Sequence, residues 1–147
     1  FVTGGYSQRH ILAINPNGTG NVTETHVAWR TNNGAAYVPS PIVSGNHLLI
    51  VADSGVAHCF DAKSGKRLWR ERLGSGHSPS PVLANGVVYC LSDQGEATVF
   101  RLGDQFELIS KNDLGEPVSA SPAISQGQLF LRSHKALYCI GKKKDRQ

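Results

Sequence analysis

Apolar residues in this chain come in short runs separated by turn-forming clusters, with no sustained helical spacing. Leu48 to Ala52 is one aliphatic and β-branched run, and Val56 to Phe60 is the next. Asp53-Ser54-Gly55 stands between them, and its glycine supplies the positive φ of a tight hairpin. Asp61-Ala62-Lys63-Ser64-Gly65-Lys66 is a second turn, followed by a third strand from Arg67 to Leu73. Pro41-Ile42-Val43 before Gly45-Asn46 makes a fourth, short strand. Four short strands joined by hairpins predict one antiparallel sheet. The central runs are apolar on consecutive residues, so both faces of that sheet must be covered.

The unit recurs. Ser40-Pro41 returns as Ser80-Pro81 and Ser121-Pro122, at spacings of 40 and 41 residues, and Trp29-Arg30 returns as Trp69-Arg70. Gly34, Gly74 and Gly115 each precede a Ser-Pro pair by six residues. A period near 40 in a strand-rich chain predicts β-propeller blades, which cover one another's faces. The fold class is therefore all-β, built of four-stranded antiparallel blades. The units divide at approximately 1–36, 37–76, 77–118 and 119–141, with a basic tail at 142–147. The first unit lacks its opening strand and the last its outer strand, giving fourteen strands in all. That count suits part of a longer ring, with an N-terminal edge that looks cut and a C-terminal edge that looks natural. Open blade faces and unpaired edges then lead us to expect self-association, or the need for a missing partner segment.

The chain has 147 residues, 39% apolar and 18% charged, which fits an ordinary globular protein. Its net charge is +4, of which the last six residues contribute +3. The tail reads as a solvated terminus, and no basic stripe with interleaved aromatics favours nucleic acid. No apolar run reaches the length of a membrane helix. Asn17-Gly18-Thr19 and Asn21-Val22-Thr23 match a glycosylation tripeptide, but the reading adopted is that their Asn and Gly residues form turns.

Candidate chemistry is sparse. Cys59, Cys90 and Cys139 each sit in an apolar run and read as small buried hydrophobes. His10, His26, His47, His58, His77 and His134 show no metal-ligand spacing. Asp53 and Asp93 are matched turn carboxylates. The candidate binding loops are those opening each blade, expected to line one rim of the central channel. They contribute Tyr37, Ser40, His77, Ser78, Ser80, Ser119 and Ser121.

Cys59-Phe60-Asp61-Ala62-Lys63-Ser64-Gly65-Lys66 followed by Leu68-Trp69 resembles the pyrroloquinoline-quinone-type propeller repeat, as do the Ser-Pro pairs. The resemblance runs from about Ile11 to Ile140. It implies two alternatives. One is a non-catalytic propeller that binds protein, similar to the lipoprotein of the outer-membrane assembly machine and placed in the periplasm or cell envelope. The other is a fragment of an alcohol or sugar dehydrogenase that holds pyrroloquinoline quinone and calcium. Such dehydrogenases use adjacent cysteines, which this chain lacks. The expectation is a scaffold with no catalytic, cofactor or metal residue of its own.

Overall fold

The structure, a computed structural model, describes residues 1–5 and 7–141; the basic tail at 142–147 lies outside the described residues. Among them are fourteen strands and no helix. The first sheet contains β1 (Val2–Gly4), β2 (His10–Ile14) and β3 (Val27–Thr31). The second contains β4 (Ile42–Ser44), β5 (His47–Val51), β6 (Val56–Asp61) and β7 (Arg67–Arg72). The third contains β8 (Val82–Ala84), β9 (Val87–Leu91), β10 (Glu96–Arg101) and β11 (Glu107–Asp113). The fourth contains β12 (Ala123–Ser125), β13 (Gln128–Arg132) and β14 (Leu137–Ile140). Every pairing is antiparallel between chain neighbours.

The sheets stack face upon face, and this explains the unbroken apolar runs. In β5, Leu48 and Ile50 pack with Phe60 against Ile11 and Trp29 of the first sheet. Leu49 and Val51 point the other way, joining Val88, Cys90 and Phe100 of the third sheet. Alternation along a strand thus sends each run into two cores. A third core joins Leu91 to Leu131, with Leu129 and Tyr138 packed beside them. Burying an aliphatic side chain of this kind contributes about 1.5–3 kcal/mol.

The two tryptophans join neighbouring sheets. Trp29 Nε1 donates to the Ala62 carbonyl at 3.0 Å, and Trp69 Nε1 donates to the Gly103 carbonyl at 2.9 Å. Each indole therefore docks on the turn between the third and fourth strands of the next blade. Gly65 serves this docking twice over. Its φ is +71°, and a Cβ there would stand 2.6 Å from the Trp29 ring. Asp61 fixes the same turn by accepting from the Ser64 N–H at 2.7 Å and the Ser64 hydroxyl at 2.6 Å. In the third sheet the register position of Trp69 is held by Ser110.

The glycosylation-like tripeptides lie in turns. Asn15 Oδ1 accepts from the Asn17 N–H and Asn21 Oδ1 from the Thr23 N–H, both at 3.1 Å.

One expectation about the core is corrected. Cys59 and Cys90 are buried, but Cys139 is exposed. It pairs across from Phe130, on the face of the fourth sheet turned away from Leu129, Leu131 and Tyr138. Leu137, on that same face, is 70% exposed.

Candidate functional site

Antiparallel connectivity gives the stack two ends. The loops opening each blade share one end with the turns between the second and third strands. The turns at 45–46 and 61–66 share the other. At the first end, each opening loop is tied to the turn of its own blade. Asp53 accepts from the backbone N–H groups of Tyr37 at 2.8 Å and Val38 at 3.0 Å. Asp93 accepts from the Ser78 N–H at 2.8 Å. Burial raises the pKa of Asp53, but these N–H groups and Arg9 outweigh it and leave the carboxyl below its ordinary value. Arg9 of the first unit stands 3.7 Å from that carboxylate.

Neighbouring loops are then stitched together by the Ser-Pro serines. The Ser40 N–H donates to Ser80 Oγ, and the Ser80 N–H donates to Ser121 Oγ, both at 2.9 Å. Backbone bonds run in the opposite sense, from His77 N–H to the Asp53 carbonyl at 2.9 Å and from Val118 N–H to the Asp93 carbonyl at 3.1 Å. The inner strands β8 and β12 approach one another beneath them.

This geometry places the sequence-derived rim residues unequally. The side chains of Tyr37, Ser40, Ser78, Ser119 and Ser121 are exposed, and Tyr37 is 58% exposed. Ser80 is half-buried and accepts an inter-blade bond. His77 does not belong to the open rim: it is 2% exposed, wedged in the seam with its Nδ1 lacking a hydrogen-bond partner. Burial lowers its pKa, opposed by Asp93 and Glu96. A lone His before Ser-Pro could not reveal this, because depth in a seam leaves no local signature. Val38, inside the first opening loop, is 55% exposed beside Tyr37 and adds apolar surface to the rim.

The fourth unit departs from the pattern. His134 stands where the other units carry Asp53 and Asp93, and its Nε2 lies 3.1 Å from Ser119 Oγ. A cavity of about 330 Å³ opens there, lined by Ser119, Ala120, Arg132, Ser133 and His134.

A quinone held with calcium requires a cluster of oxygen donors. Among the described residues no group of three or more His, Cys, Asp or Glu side chains could hold a metal ion. Asp53 and Asp93 already serve backbone N–H groups.

The comparisons with known proteins agree with this architecture. A family model described as outer membrane protein assembly factor BamB matches residues 9–105. BamB from Moraxella catarrhalis superposes with a TM-score of 0.61 at 12% identity, over 76% of this chain and 32% of its own. The quinohemoprotein alcohol dehydrogenase ADHIIG from Pseudomonas putida HK5 gives 0.56 at 14%, over 64% and 16%. The quinohemoprotein alcohol dehydrogenase from Comamonas testosteroni gives 0.55 at 15%, over the same shares. The chain thus spans about a third of the BamB structure and a sixth of the dehydrogenases. At such identities the likeness is one of fold. A search of curated proteins by sequence found no match.

Proposed function

The chain belongs to the family of the outer membrane protein assembly factor BamB, and from that premise we propose that it is a non-enzymatic, protein-binding scaffold module of the cell envelope. The observation that carries this reading is the family match across residues 9–105. The rim supports it. Backbone bonds to Asp53, Asp93 and the serines hold the opening loops rigid, while Tyr37 and Val38 present apolar surface. A preorganised loop carrying an exposed aromatic suits protein recognition, because little entropy is lost on docking. The module acts without a bound cofactor and takes a protein as its partner.

A photo-crosslinking residue at Tyr37, and another at Lys63 on the opposite end, tests the proposal in cells. Protein adducts are expected at Tyr37 in excess over Lys63. Equal labelling at both positions overturns the rim assignment. The rival, part of a quinone- and calcium-dependent alcohol dehydrogenase, is tested by dye-linked alcohol oxidation after loading with both. No turnover is expected, and robust turnover ends the scaffold reading.

A further inference from the structure

The turn at the rim of the fourth unit has reversed its charge. In the second unit this turn reads Val51-Ala52-Asp53-Ser54, and in the third Leu91-Ser92-Asp93-Gln94. In the fourth it reads Arg132-Ser133-His134-Lys135. An aliphatic residue has become Arg, the carboxylate has become His, and a neutral residue has become Lys. The first two changes line the 330 Å³ cavity.

The other two units show what this position is shaped to hold. There an internal carboxylate lies against the opening loop and accepts its N–H groups. In the fourth unit the corresponding loop presents the Ser119 hydroxyl, and Ala120 replaces the Pro39 and Pro79 of its neighbours, which restores an N–H. Arg132 and His134 are exposed and face the same cavity. Glu116, the carboxylate that does reach this turn, is already occupied. It accepts from Ser133 Oγ at 2.5 Å and from the Tyr138 hydroxyl at 2.7 Å, and it attracts Lys135.

We propose that the cavity between Ser119 and His134 binds a carboxylate supplied by an acidic peptide segment of a partner, which takes the place held internally by Asp53 and Asp93 in the other blades. Arg132 offers a planar fork matched to a carboxylate, and the Ser119 hydroxyl and Ala120 N–H offer neutral donors. This assignment names the partner chemistry for one part of the rim and so rests on the scaffold reading. It can also fail alone.

The test uses the full chain and a capped peptide of alternating Glu and Ser, followed by isothermal titration and amide NMR. Saturable binding is expected, with shifts centred on Ser119, Ala120 and His134. The Gln–Ser counterpart is expected not to bind. His134→Asp restores the residue of the other units, so the fold is expected to persist. It should weaken binding by about tenfold or more, because an internal carboxylate then fills and repels at the site. Arg132→Gln provides a second variant, expected to weaken binding with an unchanged melting curve. Absence of peptide binding, or undiminished binding by both variants, overturns the proposal. Tighter binding of inorganic phosphate than of the peptide overturns the carboxylate assignment. Equal affinity for free glutarate overturns the peptide assignment. A rim adduct at Tyr37 without peptide binding would sink this inference while leaving the scaffold reading standing.

Discussion

The indole nitrogen of Trp69 donates across a blade seam to the carbonyl of Gly103, 2.9 Å away and 34 residues later in the chain. The ring is also edge-on to Phe100 and Phe106, with centroids 6.1 and 5.5 Å away. Trp69→Phe would keep most of the apolar contact and strand the carbonyl. A loss of about 1–3 kcal/mol is expected, read as a lower urea midpoint at constant slope. Trp69→Ala should cost about 3–5 kcal/mol, because it adds a cavity.

Gly65 tests the same latch from the receiving side. Gly65→Ala must adopt a φ of +71° and push against Trp29, whereas Gly45→Ala, at +56°, meets nothing within 4 Å. Both variants carry the backbone cost of about 1 kcal/mol, and the excess at Gly65 measures the contact. Thermal melts should show the larger drop for Gly65→Ala. Introducing Trp29→Ala alongside should shrink the difference, and an unchanged difference would refute the packing argument.

Asp53 stabilises the opening loop only as an anion. Its folded pKa lies below the ordinary carboxylate value, so its contribution is present above the unfolded pKa and lost as pH falls through the folded one. Asp53→Asn should therefore destabilise by about 1 kcal/mol at neutral pH. The gap from the parent should close below roughly pH 4. Denaturant midpoints measured from pH 3 to 7 decide this.

His58 acts in the opposite chemical sense. Burial lowers its pKa from 6.5 to about 4, with Arg67 and Arg70 adding to the effect. The unfolded chain therefore binds the proton first. Stability is full above pH 6.5 and falls as pH drops from 6.5 toward 4. His77, lowered mainly by burial, adds to the same trend. His58→Thr installs the residue that Thr98 supplies in the third blade at the same register. It should flatten that part of the curve, and a slope equal to the parent's would exclude His58 as a source.

Thiol reactivity should divide the cysteines. Cys59 and Cys90 are buried, and burial pushes both thiols up to about 12, with Asp104 adding at Cys59. Cys139 is exposed. A chromogenic disulfide reagent should label one thiol in the native chain and three in denaturant. Rapid labelling of Cys59 or Cys90 in the native state would show that the seams open readily.

The strand pattern was legible because its signals are local: consecutive apolar residues in β5 and β6, and turn residues between them. The inter-blade role of Trp29 and Trp69 was legible only as their 40-residue recurrence. The acceptors of their indole N–H groups were not, because the carbonyls of Ala62 and Gly103 carry no side-chain signal. Ser80 and Ser121 read as binding groups but accept backbone bonds from the adjoining blade. Only the juxtaposition of units discloses that use. Cys139 misled because an apolar run signals two covered faces, while the described residues cover only one face of the fourth sheet. The reversed charge at His134 was present in the sequence, but it acquires meaning only beside the bonds made by Asp53 and Asp93.

The ties across each seam give the array a polarity. Indole and serine N–H groups reach forward to the succeeding blade, and the loop N–H groups of His77 and Val118 reach back. Residues 37–76 carry one half of each of two joints: an outgoing Trp69 that docks at Gly103, and an incoming turn at Gly65 that receives Trp29. Such a segment is interchangeable as a whole, so lineages could lengthen or shorten the array by duplicating it. Each plug meets its socket only across a unit boundary, so every added unit brings a socket for the last plug and a plug for the next socket.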